Sequence, residues 1–245
     1  KRAKRAATAE HPFGYGRSRY IYAFMVSIVL FAVGGLFSIN EGLSKLSHPH
    51  ELDMVWLPLV VLGAAIVMEG FSFRTAIIES NHVRGNQGWI EFIRRAKSPE
   101  LPVILLEDFA ALIGLVLAFA GVGLSVITHN PVWDALGTLA IGALLILVAI
   151  VLGLETSSLL VGEGANATDN GKITAALAAA PGVLSVIHMK TLYLGPDELM
   201  VAAKIGVAGD SKGSEIAVTI DRAESLVRDA VPAARVIYLE PDIQR

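Results

Sequence analysis

Apolar and polar positions fall into long blocks as far as Leu154 and into short periodic stretches beyond it. Four blocks are apolar: Tyr20 to Phe37, Met54 to Ile78, Leu101 to Thr128, and a run from Pro131 to Leu154. A membrane-crossing helix needs about 20 mainly apolar residues, so each block predicts one span. Gly34-Gly35 gives the first span a notch for a close neighbour; Gly63 with Ala64, and the series Gly114, Ala118 and Gly121, are packing positions of the same kind. The polar stretches Ser38 to Asp53 and Ser80 to Glu100 predict connections. His129 to Pro131 predicts a very short turn, with Pro131 suited to the first turn of the fourth helix. Ahead of Tyr20, H-P-F-G-Y-G-R-S-R-Y carries Pro12, Gly14 and Gly16, which resist a regular helix and predict a structured loop entering the membrane.

After Leu154 the periodicity changes. Glu155 to Ala165 reads as a linker containing Gly and Ser, and the remainder as a small α-β-β-α-β domain. Ile173, Leu177 and Ala180 share a helical face that Pro181-Gly182 terminates. Leu184 to Leu194 and Leu199 to Val207 predict strands around Gly195-Pro196, with Leu199, Val201, Ala203, Ile205 and Val207 alternating inward. Ile216, Ile220, Ala223, Val227 and Ala230 give a second helical face, and Val236 to Leu239 a last short strand. The expected fold is an α-helical membrane bundle over residues 1–160, followed by a small α+β domain of ferredoxin-like order over 161–245. A core of that size is marginal and gains from oligomerisation.

Composition agrees with this division. Of 245 residues, 53% are hydrophobic, and the mean hydropathy is +0.58. The net charge of −3 leaves no basic footprint, which argues against nucleic acid as a partner. The absence of cysteine excludes disulfides and thiolate metal sites, leaving oxygen and imidazole as metal ligands. Lys1, Arg2, Lys4 and Arg5 lead into a polar stretch, unlike a secretory signal. Those four residues with Arg17 and Arg19 lie on one side of the predicted spans, as do Arg84, Arg94, Arg95 and Lys97. The other side has only Lys45, so both chain ends are expected in the cytoplasm.

The candidate chemistry sits in the third span. Glu107 and Asp108 lie roughly 10 Å in from Leu101, at about 1.5 Å of rise per residue. Charge at that depth is costly, and such acids normally face a partner, water or a passing ion. Adjacent residues are about 100° apart around a helix, so the two acids do not face one point. Asp108 is read as facing a passing ion or as a buried acid, neutral or paired with Arg74. Glu69, in the second span, is a further oxygen donor or an acid neutralised by Ser72 or a neighbouring helix. His48 and His50 flank Pro49 at a spacing that enforces no metal geometry and read as solvated loop residues, while His11, within H-P-F, can cap the helix that follows.

The combination of H-P-F-G-Y-G-R before a membrane helix, E-D-F-A-A-L-I-G inside another and a trailing α-β-β-α-β domain with A-P-G-V resembles the cation diffusion facilitator family of metal transporters. The E-D-x-A-A form looks most like the branch that includes the animal mitochondrial zinc transporter. The resemblance implies six membrane helices, of which this chain shows four, with the loop ahead of Tyr20 following the second. It also implies a four-ligand cluster of His and Asp, two from the second helix and two from the fifth, the latter matching Leu101 to Thr128. Asp108 matches one ligand, but Ile104 stands where the other belongs. Glu69 then supplies the missing oxygen, or Glu107 serves as a proton carrier or supporting group. In several relatives the soluble domain dimerises around zinc. Here Ile187 stands at one such histidine position with His188 beside it on the opposite sheet face, Lys204 at another, and Tyr238 and Glu240 in the last strand.

The resemblance therefore implies a homodimeric secondary transporter, not an enzyme, with no permanently bound cofactor. It would move a divalent transition metal, zinc, across the bilayer in exchange for protons. The alternative is a non-transporting membrane protein whose soluble domain recruits or senses partners. The membrane is read as a bacterial plasma membrane rather than that of an organelle.

Overall fold

Every apolar block becomes a helix that outlasts it in the computed structural model, which describes residues 7–48, 56–85, 88–95 and 100–243. The first span is continuous from Ser18 to Ser47: α1 (Ser18–Val26), a π-helical stretch (Ser27–Val33) and α2 (Gly34–Ser47). It runs through the first part of the polar stretch expected to be a connection. Then come α3 (Trp56–Arg84), the short α4 (Trp89–Arg95), α5 (Glu100–Thr128) and α6 (Val132–Val161). In the same way α3 and α4 occupy much of the Ser80 to Glu100 connection, and α6 takes up most of the expected linker. The reason is local. The backbone ladder forms through polar residues as it does through apolar ones, and hydroxyls within it bond back to the carbonyl four residues earlier, as from Ser47 to Leu43 (3.0 Å) and from Thr156 to Leu152 (2.6 Å). They stop where the backbone turns left-handed, at Gly85 (φ 57°), His129 (φ 52°) and Gly162 (φ 120°). Among the described residues, four continuous helical runs, Ser18–Ser47, Trp56–Arg84, Leu101–Thr128 and Val132–Val161, are long and apolar enough to cross a membrane. His50 and Lys97, and the basic residues before Ala7, lie outside the described residues.

The chain forms two units, one from Ile21 to Ser157, the other from the residues before Ile21 together with Ser158 onwards. In the membrane unit α3 and α5 run antiparallel, with Leu59 against Gly123 and Gly63 against Phe119. Along the α2–α6 seam the backbones nearly touch. A Cβ added at Gly35 or at Gly142 would sit 3.0 Å from the other residue's carbonyl oxygen, so both positions require glycine. Phe31, on the π-helical stretch, is buried with Val103 and Ala110 of α5 and Val148, Ala149 and Leu152 of α6.

The second unit contains α7 (Ala167–Ala179), β1 (Ser185–Gly195), β2 (Glu198–Val207), α8 (Gly213–Ala230) and β3 (Ala234–Ile243). The sheet order is β1-β2-β3, with β1 and β2 antiparallel, and β2 and β3 parallel across the α8 crossover. Leu199, Val201, Ala203, Ile205 and Val207 are all buried, as alternation predicts, and Ile173, Leu177, Ala223 and Val227 complete the core against them. A fully buried side chain of this kind contributes about 1.5–3 kcal/mol, so the two helices are held to one sheet face by a handful of residues. Asn166 caps α7 by accepting from the Asp169 amide at 2.8 Å. The loop before α1 packs on the β1–β2 turn: a Cβ at Gly16 would lie 2.7 Å from the Leu194 oxygen, and Arg19 pairs with Asp197 at 3.1 Å.

Candidate functional site

The α3–α5 pairing brings the sequence-predicted acids to one neighbourhood. Pro58 and Pro102 stand in the first turns of these helices, where a missing amide costs nothing, and leave the interiors free to run unbroken past the acids. Ser72 Oγ donates to Asp108 Oδ2 at 2.8 Å, and the next residues along, Phe73 and Phe109, stack with centroids 5.7 Å apart. Glu69 lies one turn from Ser72 on α3, half-buried, where the charges of Asp108 and Glu107 both bear on it. Ile104, at the expected position of a ligand, is 46% exposed and contributes no donor atom.

Glu107 stands between two environments. On one side is Asp108 with its α3 partners; on the other Val103, Leu106 and Ala110 join the apolar cluster around Phe31. Glu107 is half-buried, and neither it nor Glu69 makes a hydrogen bond or ion pair among the described residues. Arg74 does not pair with Asp108: Ser72 takes that place, and Ser72 does not serve Glu69. No group of three or more His, Asp or Glu side chains among the described residues is arranged to hold a metal ion. What stands here is thus a partial constellation of two carboxylates from adjacent helices, a hydroxyl donor that orients one of them, and a third carboxylate at the edge of the apolar seam.

The histidines lie elsewhere. His11 is in the loop before α1, its ring edge-on to Tyr15 at 4.6 Å and its carbonyl accepting from the Gly14 amide at 2.9 Å. His48 follows the end of α2. His82 Nδ1 lies 2.8 Å from the Ile78 carbonyl.

In the soluble domain the expected alternation at Ile187 and His188 does not hold. A β-bulge between Val186 and His188 leaves Ile187 out of the ladder, and His188 pairs across from Lys204 on the sheet face away from the helices. Lys204 in turn pairs with Glu240 of β3. Its ammonium lies 3.0 Å from an Asp242 oxygen and 3.2 Å from one of Glu240, and hydrogen bonds to Asp242 and then Glu240 raise its pKa above the ordinary lysine value.

One polar contact in the membrane unit had no forerunner in the sequence reading. Lys45 Nζ, near the end of α2, donates to Asp134 Oδ2 at 2.8 Å and to Thr138 Oγ1 at 3.3 Å on α6. Asp134 was legible as an acid in the first turn of a membrane helix, but nothing in a linear pattern names a partner 89 residues away.

The family model described as the cation efflux transmembrane domain matches residues 1–161. The mitochondrial proton-coupled zinc antiporter SLC30A9 of Mus musculus is 29% identical over 201 residues, which is 81% of this chain and 35% of that protein. Metal tolerance protein C4 of Arabidopsis thaliana is 28% identical over 209 residues, 84% of this chain and 46% of that protein. A solved C-terminal domain of MamM, carrying two substitutions, aligns at 21% identity with a TM-score of 0.30, covering 31% of this chain and 92% of the domain. The chain therefore spans about a third of the length of the mouse relative.

Proposed function

The chain belongs to the cation efflux family, and from that premise we propose that it is a homodimeric secondary transporter moving zinc, or a divalent cation of similar chemistry, across a bilayer in exchange for protons. The observation that carries this reading is the Ser72–Asp108 hydrogen bond across α3 and α5, deep in apolar spans, with Glu69 one turn from Ser72 where the charge of Asp108 acts on it. Carboxylate oxygen is a good zinc donor, and it must be ionised to bind. Metal and proton thus compete for the same atoms, which is the chemical basis of exchange. Asp108 is the principal ligand in this reading, with Glu69 an assisting oxygen. Glu107, beside the apolar seam and without a bonded partner among the described residues, carries a proton.

The protein is an integral membrane protein. We assign it to a bacterial plasma membrane, and we place its C-terminal domain on the cytoplasmic side because Arg17, Arg19, Arg84, Arg94 and Arg95 fall on one side of the spans and Lys45 alone on the other. The test is zinc flux into vesicles containing the full-length protein under imposed pH gradients. Flux that follows the proton gradient supports the reading. Flux equal to that of empty vesicles at every gradient removes it in favour of a membrane protein that recruits partners through its soluble domain.

A further inference from the structure

The α2–α6 seam is a zipper with one polar tooth. Gly35 meets Gly142 and Ile146, Ile39 meets Gly142, and Gly42 seats Leu139; the row ends where Lys45 reaches Asp134 and Thr138. Lipid tails are as apolar as leucine, so the glycine and aliphatic part of this row gains packing alone from association. Nothing in it opposes a slide of one helix along the other except the fit of side chains into glycine notches. The charge pair is directional by contrast. The Lys45 ammonium is held at two points, by the Asp134 carboxylate and by Thr138 Oγ1, whose own proton goes to the Asp134 backbone carbonyl at 2.9 Å. The Asp134 side chain is only 16% exposed, that of Lys45 35%, so water competes little for the carboxylate.

This pair lies at the far end of the bundle from the acids. Asp108 is some 30 Å along α5 from Thr128, at about 1.5 Å per residue, and α6 begins just beyond the turn. Yet the same two helices reach back to the acids. Phe31, one helical turn before Gly35, and Val148, Ala149 and Leu152 of α6 bury against Val103 and Ala110 of α5, the residues that bracket Glu107 and Asp108. A slip of α2 along α6 would shift Phe31 against Leu152 and change the surface on which the acid-bearing turn of α5 rests.

We propose that Lys45 and Asp134 are a positioning pair for transport: an ionic clamp that sets the register of the first span against α6, and through the Phe31 cluster the placement of the turn carrying Glu107 and Asp108. The proposal rests on the transport reading above. The clamp touches no metal, so its loss slows turnover and leaves metal affinity nearly untouched.

The full-length protein in vesicles is compared with Lys45→Met, with Asp134→Asn, and with the exchange variant Lys45→Asp/Asp134→Lys. Each single substitution should lower maximal zinc flux about tenfold, with the half-saturating zinc concentration within about twofold of the parent, and the exchange should recover most of the loss. A second measurement does not depend on transport. Residues 1–245 contain no cysteine, so Leu139→Cys, made in the full-length protein with every cysteine outside these residues changed to serine, places a single thiol at the Gly42 notch. Its reaction with a water-soluble maleimide should be slow in the parent, about tenfold faster in either single variant and slow again in the exchange variant. Parental flux in the single variants, or an exchange variant as impaired as they are, overturns the positioning role. If the parent itself carries no zinc, the transport reading fails, and the clamp stands or falls on labelling alone: unchanged labelling across all variants overturns it.

Discussion

Ser72 on α3 donates a 2.8 Å hydrogen bond to Asp108 on α5, and no basic side chain among the described residues shares that carboxylate. A hydroxyl holds an acid in place without neutralising it, which leaves the negative charge available to a passing cation. A hydrogen bond to a charged group is worth about 1.5–3 kcal/mol when shielded and less where water reaches it. Ser72→Ala should therefore raise the half-saturating zinc concentration about 3- to 10-fold, with little loss of maximal flux. Zinc-dependent flux in vesicles checks this, and an unchanged half-saturation would mean that Asp108 is oriented by something else.

Asp108→Asn should abolish zinc flux without loss of assembled protein, because the amide keeps the shape and removes the charge a dication needs. Glu107→Gln should hurt less and should mainly blunt the dependence of flux on the proton gradient. The opposite ranking, with Glu107→Gln dead and Asp108→Asn active, would exchange their roles. Size-exclusion profiles run beside the flux assay separate loss of function from loss of folding.

Glu69→Gln combined with Ser72→Ala tests whether these α3 side chains act on one site. Both bear on Asp108, so their effects on half-saturating zinc should be non-additive by roughly 0.5 kcal/mol or more, as expected of groups sharing a partner. Strict additivity would separate Glu69 from the site and leave Asp108 without its proposed oxygen partner.

Much of this arrangement was legible beforehand because it follows from local chemistry. Four apolar blocks give four spans, the alternation from Leu199 to Val207 gives a strand with one buried face, and acids at 107 and 108 announce themselves by their cost in hydrocarbon. What escaped is of two kinds. Helix ends do not follow hydrophobicity, since the backbone of Ser38 to Ser47 bonds as well in a polar setting as in an apolar one. Pairings between helices leave no periodic trace, so Ser72 entered only as one possible partner of Glu69, on its own helix, when it bonds to Asp108, and Lys45 and Asp134 were not paired. The bulge at Ile187 belongs to the same class: one extra residue resets which side chains face Lys204, and no single-strand pattern reveals it.

Lys204 makes the soluble domain's stability depend on alkaline pH. Its ammonium is held first by Asp242 and then by Glu240, which raises its pKa above the ordinary value of about 10.4. A group whose folded-state pKa is raised stabilises the fold fully below the unfolded value and loses that contribution as pH rises through the folded one. The parent should therefore exceed Lys204→Met in thermal midpoint at about pH 7–9, and the gap should narrow as pH rises past the ordinary lysine value and through the raised folded-state one. A gap that persists undiminished there would point to packing of the lysine stem as its cause.

The same ammonium bears on metal binding. It occupies the space between the two carboxylates of β3, and His188 across from it is the one imidazole in that row of the sheet. Zinc would have to displace a tethered cation to bind there, so the soluble domain is expected to associate without metal. Calorimetric titration of the Asp108→Asn protein, in which the membrane site is disabled, should show no zinc site of micromolar affinity. A stoichiometric site that disappears with His188→Ala would contradict this.

The contact of Arg19 with Asp197 joins residues 178 positions apart, and the Gly16–Gly195 approach lies beside it. During synthesis at about 5–20 residues per second, the loop before the first span is complete roughly 10–40 s before its seat on the β1–β2 turn has been translated. The spans between them enter the bilayer in that interval, so this loop is made well before its seat and reaches its final place only after the spans that follow it. Its glycines keep the approach narrow enough to close late without rearranging what has already folded. A bulky residue at Gly16 would then act chiefly as a fault of maturation: spans inserted, sheet formed, and the loop left unseated and open to proteolysis in a protein otherwise complete.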